Sequence, residues 1–121
     1  MFGKNNMKQP NIEISNLAKN CNEALILAIL SEKDRHGYQI ALEIEEQSGG
    51  VFKFNHGTLY PILHKLEKDG LVKGFWNDES IKRKRKYYSI TKSGEEYSTE
   101  QQLEWQIFFS NFFNIIGKKE I

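Results

Sequence analysis

Residues 82–86 read KRKRK, five consecutive cations in a chain whose formal net charge is only +1. Like charges set this close repel one another, so the run calls for an anionic partner. Lysine and arginine bind a phosphate backbone by releasing counterions, so such binding falls with salt and conveys no base sequence. A second set of groups lies upstream in HGTLYPILHKLEKDG, residues 56–70. Leu59, Ile62, Leu63 and Leu66 follow the i, i+3, i+4, i+7 spacing of a helix with one apolar face. The arc opposite holds Gly57, Pro61, His64 and Lys68, flanked by Thr58 and Lys65 on one side and Tyr60 on the other. Glycine and proline are poor residues for a helix interior. Here they leave an outward surface lean enough for close approach, edged with hydroxyls, an imidazole and ammonium groups that can reach a base or a phosphate.

The same residue types give no enzyme signature. His36, His56 and His64 have no metal-ligand spacing with Cys21, no glycine-rich phosphate loop follows a strand, and no Ser/His/Asp or paired-carboxylate arrangement is signalled. No catalysis, cofactor or metal is expected.

Both surfaces need elements to position them. IEISNLAKNCNEALILAILSEK predicts one long helix with an apolar face of Ile14, Leu17, Ala18, Cys21, Leu25 and Ala28, and with EALILAIL buried nearly all round. GYQIALEIEEQSGG predicts a second helix, with Ile40 and Ile44 toward the core and Gly49 as its stop. VFKF follows as an extended link. The third helix is the leucine-patterned stretch. Asn55 is one N-cap candidate, which would set Pro61 in the second turn; Thr58 is the other, which would set it in the first. Asp69 and Gly70 close the helix through a left-handed glycine. LVKGFW and KYYSIT read as two strands separated by residues 77–85, with the cations at the hairpin tip. Thr91 caps a final helix that runs to about Ile116. A helix pair followed directly by a basic ribbon is the layout of a winged helix-turn-helix, whose second helix enters the major groove of double-stranded DNA. The expected fold is mainly α with a small β-hairpin, a winged helix-turn-helix plus a long C-terminal dimerisation helix.

With 121 residues, 39% hydrophobic and 27% charged, the composition suits one domain with a modest core. A single cysteine, Cys21, excludes an intrachain disulfide and suits a reducing compartment; its surroundings mark it as a small core residue. No apolar run approaches the ~20 residues of a membrane span, and MFGKNNMKQPN lacks the apolar segment of a secretory signal. A cytoplasmic protein with no membrane partner is expected. Residues 1–10 are expected to be a flexible arm, 11–91 the DNA-binding domain and 92–121 the dimerisation helix.

HGYQIALEIEE, NHGTLYPILHKLEKDGLV and KRKYYSITKSG together resemble the PadR family of bacterial transcriptional regulators, from about Glu23 to Gly94 with an extension through Trp105. The short tail is similar to the subfamily with one long C-terminal helix in place of a helical domain. The resemblance implies a homodimeric DNA-binding repressor. By position, Tyr38 matches the family's helix-two tyrosine, and Thr58, Tyr60 and Pro61 its recognition-helix start. Arg83, Lys84, Arg85 and Lys86 match its wing. With His64, Lys65 and Lys82 these form the expected DNA-binding set. One departure is ESIKRK, where family wings are often glycine-rich; Ile81 is expected to stiffen or redirect the loop. Repression also has a mechanical basis, because a small dimer without an activation segment works most simply by occupying a promoter.

The last helix carries Trp105, Phe108, Phe109, Phe112, Phe113, Ile115 and Ile116. Trp105, Phe108, Phe112 and Ile116 lie close to one stripe. Each such side chain contributes roughly 1.5–3 kcal/mol when buried, and several left exposed together invite association. A symmetric homodimer is expected, with this helix on helix one of the partner and two recognition helices about one DNA turn, ~34 Å, apart on a pseudo-palindrome. Trp105 also falls where some multidrug-sensing proteins that the sequence resembles carry a tryptophan facing its symmetry mate. Trp105, Phe108 and Phe112 are therefore candidate contacts for a small planar aromatic effector, with plain core packing as the other possibility. The rival function is a winged helix used only as a protein-interaction module, which would show no salt-sensitive DNA binding.

Overall fold

A computed structural model describes residues 11–80 and 83–117 and shows a mainly helical chain with a three-stranded antiparallel sheet. The expected arm at residues 1–10, and Ile81 and Lys82 of the wing, lie outside the described residues.

Among the described residues four helices precede the hairpin, where three were expected. The first is divided at Asn20 into α1 (Ile14–Lys19) and α2 (Cys21–Glu32). Asn20 sits at φ −95°, ψ 7°, and its N–H reaches back to the carbonyls of Asn16 and Leu17. Asparagine favours such non-helical turns. The break turns Ile14 outward, 63% exposed, and leaves Leu17 as the one buried residue of α1. The expected face of Ile14 to Ala28 is therefore not the core face. Instead α2 buries Ile26, Leu27, Ile29 and Leu30 against α3, α4 and the sheet, while Cys21, Leu25 and Ala28 stand half-buried toward α5.

Arg35–His36 form a short strand, β1, that the sequence did not announce. Arg35 is buried, and its guanidinium donates to the Ile29 carbonyl at 2.9 Å and to Glu32 at 3.2 Å. Helix α3 (Gly37–Gln47) then starts in a capping box. His36 Nδ1 accepts from Gln39 N–H, and Gln39 Oε1 accepts from His36 N–H, each at 3.3 Å. Helix α4 (His56–Lys68) is capped by Asn55, whose Oδ1 accepts from Thr58 N–H at 2.9 Å. That decides between the two cap candidates and puts Pro61 in the second turn. At the far end Gly70, φ 78°, donates to Glu67, and Leu71 N–H donates to Leu66, the paired bonds of a Schellman motif.

The hairpin arms run further than LVKGFW and KYYSIT. β2 is Val72–Ser80 and β3 is Arg83–Ile90, in sheet order β1-β3-β2. The cations at 83–86 thus lie along an arm and not at the tip. The register sets Asn77 opposite Arg85 and Asp78 opposite Lys84, with a bulge between Asp78 and Ser80. Backbone register with β3, which strand propensity alone does not signal, carries β2 past Trp76. Helix α5 (Lys92–Gly117) starts where Thr91 Oγ1 accepts from Gly94 N–H at 3.0 Å. Ile26, Leu27, Leu30, Ile40, Leu59, Leu63 and Leu66 make the fully buried core, with Val72 and Tyr88 closing it from the sheet.

Candidate nucleic-acid interface

Helix α4 turns Leu59, Leu63 and Leu66 into the core and leaves Gly57, Pro61, His64 and Lys68 exposed. Proline has no N–H for the Gly57 carbonyl, but both residues face outward, so that acceptor stays open to solvent or a ligand. Thr58 is half-buried. Tyr60 lies across the start of α3: a Cβ on Gly37 would stand 2.6 Å from its hydroxyl oxygen. Glycine at 37 is thus what lets the ring lie there. The His56 ring stacks on Tyr60, with centroids 5.6 Å apart and planes at 14°.

An open groove of about 340 Å³ separates these helices from the wing. It brings Tyr38 and Tyr60 together with Lys84, Arg85 and Lys86, and Trp76 stands at its edge, 65% exposed. Trp76 was not among the expected site residues; its signal was an aromatic residue directly before the charged part of the hairpin. The cations of the site differ in what holds them. Lys84 is exposed. Arg85 Nη1 lies 2.7 Å from His36 Nε2. Lys86 Nζ is 2.9 Å from Glu67 Oε1. Lys65 Nζ is 3.0 Å from Asp69 and 3.3 Å from Glu23, which ties it toward α2 and the end of its own helix. Hydrogen bonds to Glu67 and to Asp69 and Glu23 raise Lys86 and Lys65 above the ordinary lysine range, and the Lys86 bond holds the Glu67 carboxyl below its own. A phosphate would have to compete with a carboxylate at either lysine. Arg83 belongs to β3, and Lys82 lies outside the described residues.

The aromatic residues of α5 do not share one cavity. Trp105 borders a groove of about 320 Å³ against α2, with Cys21, Leu25, Phe52 and Phe109. Phe108 and Phe112 border a different groove of about 410 Å³, with Ile12, Ile14 and Ile115. Phe109 is thus the phenylalanine that lines the tryptophan's groove, while the Trp105 ring also meets Phe108 edge to face, with centroids 5.6 Å apart. The indole Nε1 of Trp105 and Oε1 of Gln101 are buried with no hydrogen-bond partner. Burial pushes the Cys21 thiol up. Beyond these, Leu103, Phe113, Ile115 and Ile116 are exposed. Among the described residues no cluster of His, Cys, Asp or Glu could hold a metal ion, and no helix is long and apolar enough to cross a membrane.

The model of a family described as the transcriptional regulator PadR-like family matches residues 26–100. The negative transcriptional regulator PadR of Bacillus subtilis is 30% identical over 71 residues, which are 59% of this chain and 39% of that protein, so the chain spans well under half of that relative. A PadR family transcription regulator from Clostridium difficile R20291 superposes with a TM-score of 0.66 at 33% identity, covering 78% of this chain and 95% of that one. Bacillus subtilis PadR in complex with operator DNA superposes with a TM-score of 0.61 at 26% identity, covering 66% of this chain and 44% of that one.

Proposed function

Because this chain belongs to the PadR-like family of transcriptional regulators, we propose that it acts as a repressor, a homodimer that reads a pseudo-palindromic operator and is released by a small planar aromatic effector. One observation carries the DNA-binding geometry: the lean half of α4 adjoins the groove where Tyr38 and Tyr60 face the cations of β3. In this reading Thr58, Pro61 and His64 approach base edges, the two tyrosines grip the sugar-phosphate backbone, and Arg83, Lys84 and Arg85 follow phosphates with Lys82. Residues 11–91 form the reading unit and residues 92–121 the dimerisation helix. The exposed apolar end of α5, with Ile12 and Ile14 beside Phe108 and Phe112, supports pairing with α1 of a second copy. The unpartnered Trp105 Nε1 supports an effector contact there.

A gel-shift on DNA upstream of the protein's own gene, at two salt concentrations, tests the reading with wild type and a Thr58→Ala/Tyr60→Ala double variant. Preferential, salt-sensitive wild-type binding that the double variant loses is the expected result. Equal binding to random DNA would overturn sequence-specific repression, and absence of salt-sensitive binding would leave the protein-interaction module. For the effector, Trp76→Phe leaves Trp105 as the sole tryptophan. Its fluorescence should then be quenched by planar cationic aromatics, and an unresponsive signal across a broad panel would remove the effector.

A further inference from the structure

Glu67 and Lys86 meet across the bare Cα of Gly74. The Nζ–Oε1 distance is 2.9 Å, and a Cβ built on Gly74 would collide with Lys86 Cε and stand 2.9 Å from Glu67 Oε2. The bridge therefore crosses β2 where that strand has no side chain to block it. The same ammonium stands 5.5 Å from the centroid of the Tyr88 ring, and Tyr88 is itself buried. Lys86 is thus held by an acid from α4 and an aromatic face from its own strand.

Its place in the ladder gives the bridge a purpose. In backbone register β1 pairs with the hairpin only at Tyr87 and Tyr88, the partners of His36 and Arg35, and beyond them it offers the side-chain contact from His36 to Arg85. The next rung outward is Trp76 opposite Lys86, and from there β3 has β2 as its only strand partner among the described residues. A two-stranded ribbon is marginal on its own. The tie to Glu67 falls on the first rung that the third strand no longer pairs with.

We propose that Glu67, Gly74 and Lys86 are positioning residues that fix the angle between the wing and the recognition helix, so that Lys86 serves DNA binding through Glu67 and not through a phosphate. This rests on the DNA-binding reading above. A rigid angle matters because both elements must meet one duplex together, and each degree of freedom frozen in advance is not lost on binding.

The direct-contact alternative predicts the opposite sign at Glu67. If Lys86 held a phosphate, Lys86→Gln would make the log–log salt dependence shallower by about 0.9 per half-site, while Glu67→Gln, which removes a negative charge, would leave binding equal or tighter. The positioning role predicts that Glu67→Gln and Lys86→Gln each weaken binding about threefold per half-site, about tenfold over two, as suits a partly exposed ion pair. It also predicts that the double variant is no worse than either single one, and that the salt slope does not change. The probe is a duplex selected by the wild-type protein from a random pool, with melting curves to confirm folding. Unchanged or tighter binding by Glu67→Gln, or a shallower slope for Lys86→Gln, overturns the proposal. Amide exchange along residues 75–77 and 84–86 supplies a second readout without DNA. It should quicken in both single variants, and unchanged exchange there overturns the proposal even if the protein proves to bind no duplex.

Discussion

Gly94→Ala should destabilise the protein by about 2 kcal/mol, although the same change in an open helix stabilises it. Gly94 is the third residue of α5, and its amide donates to Thr91 Oγ1. A Cβ there would collide with the Leu71 carbonyl oxygen and lie 2.8 Å from Ile90 Cγ1. That carbonyl has little room to move. It accepts from Thr91 N–H at 3.1 Å and from Thr91 Oγ1 at 3.1 Å, while Leu71 N–H donates to Leu66 at 2.9 Å. Alanine would gain about 0.8–1.0 kcal/mol of helix propensity. Against this stand about 1–3 kcal/mol for overpacking and about 0.5–1.5 kcal/mol for each hydrogen bond to Leu71 that is broken. With a middle value for overpacking and one bond broken, the net is a loss of roughly 2 kcal/mol. Urea unfolding at one fixed protein concentration should show a lower midpoint with an unchanged slope. Gly117→Ala is the control, since nothing stands within 4 Å of its Cβ position, and it should cost nothing. A Gly94→Ala protein as stable as wild type would refute the idea that the end of α4, the start of β2 and the start of α5 are locked together.

Neutralising Arg83, Lys84 and Arg85 to glutamine should make the log–log salt dependence of DNA binding shallower by about 0.9 for each phosphate that no longer meets a cation; titrations at several salt concentrations that give parallel lines would count against a phosphate-tracking wing. Phe113→Glu should shift the protein to monomer in sedimentation, because Phe113 is 60% exposed and burying that remaining surface in both copies of a symmetric dimer is worth roughly 2–4 kcal/mol. An undiminished dimer would move the interface elsewhere. The pH response of Glu67 follows from its lowered carboxyl: its stabilising part is full above the ordinary glutamate value, about 4.3, and fades as the pH falls through the lower folded value. Melting temperatures of wild type and Glu67→Gln should therefore differ near neutrality and converge under acid, and a constant gap at all pH would refute the coupling to Lys86.

What was legible from sequence was local. The leucine spacing of α4, the left-handed Gly70 and the Thr91 cap each depend on residues within a turn or two of one another, and all three stand as expected. The division at Asn20 was missed because the apolar pattern continues through it, and only the asparagine's competition for backbone bonds marks the break. β1 was missed because two residues carry no period; it exists through Tyr87 and Tyr88, far along the chain. Charge was the least legible part. A sequence gives the sign of Lys65 and Lys86 but not Glu23 and Glu67, which reach them only through the fold. Likewise a helical wheel sets Trp105, Phe108 and Phe112 on one stripe, and the packing of α2 and α1 against α5 divides it between two grooves.

The glycine and proline of α4 make sense once that helix is seen as two unlike halves. From Leu63 onward it is held by the core through Leu63 and Leu66, by Glu23 and Asp69 through Lys65, by Lys86 through Glu67, and by the Schellman bonds that lead into Leu71. Its first half is anchored inward by Leu59 and, less deeply, by half-buried Ile62, and its outward edge is left lean. Pro61 removes one backbone bond, and the carbonyl it leaves belongs to exposed Gly57, where water or a ligand can replace the lost donor. The same residue one turn later, at 65, would remove the bond to Pro61's own carbonyl and delete the lysine that binds Glu23 and Asp69, at about 3 kcal/mol for the proline alone. A helix anchored by its C-terminal half can present an N-terminal half stripped of bulk, and a helix anchored evenly could not.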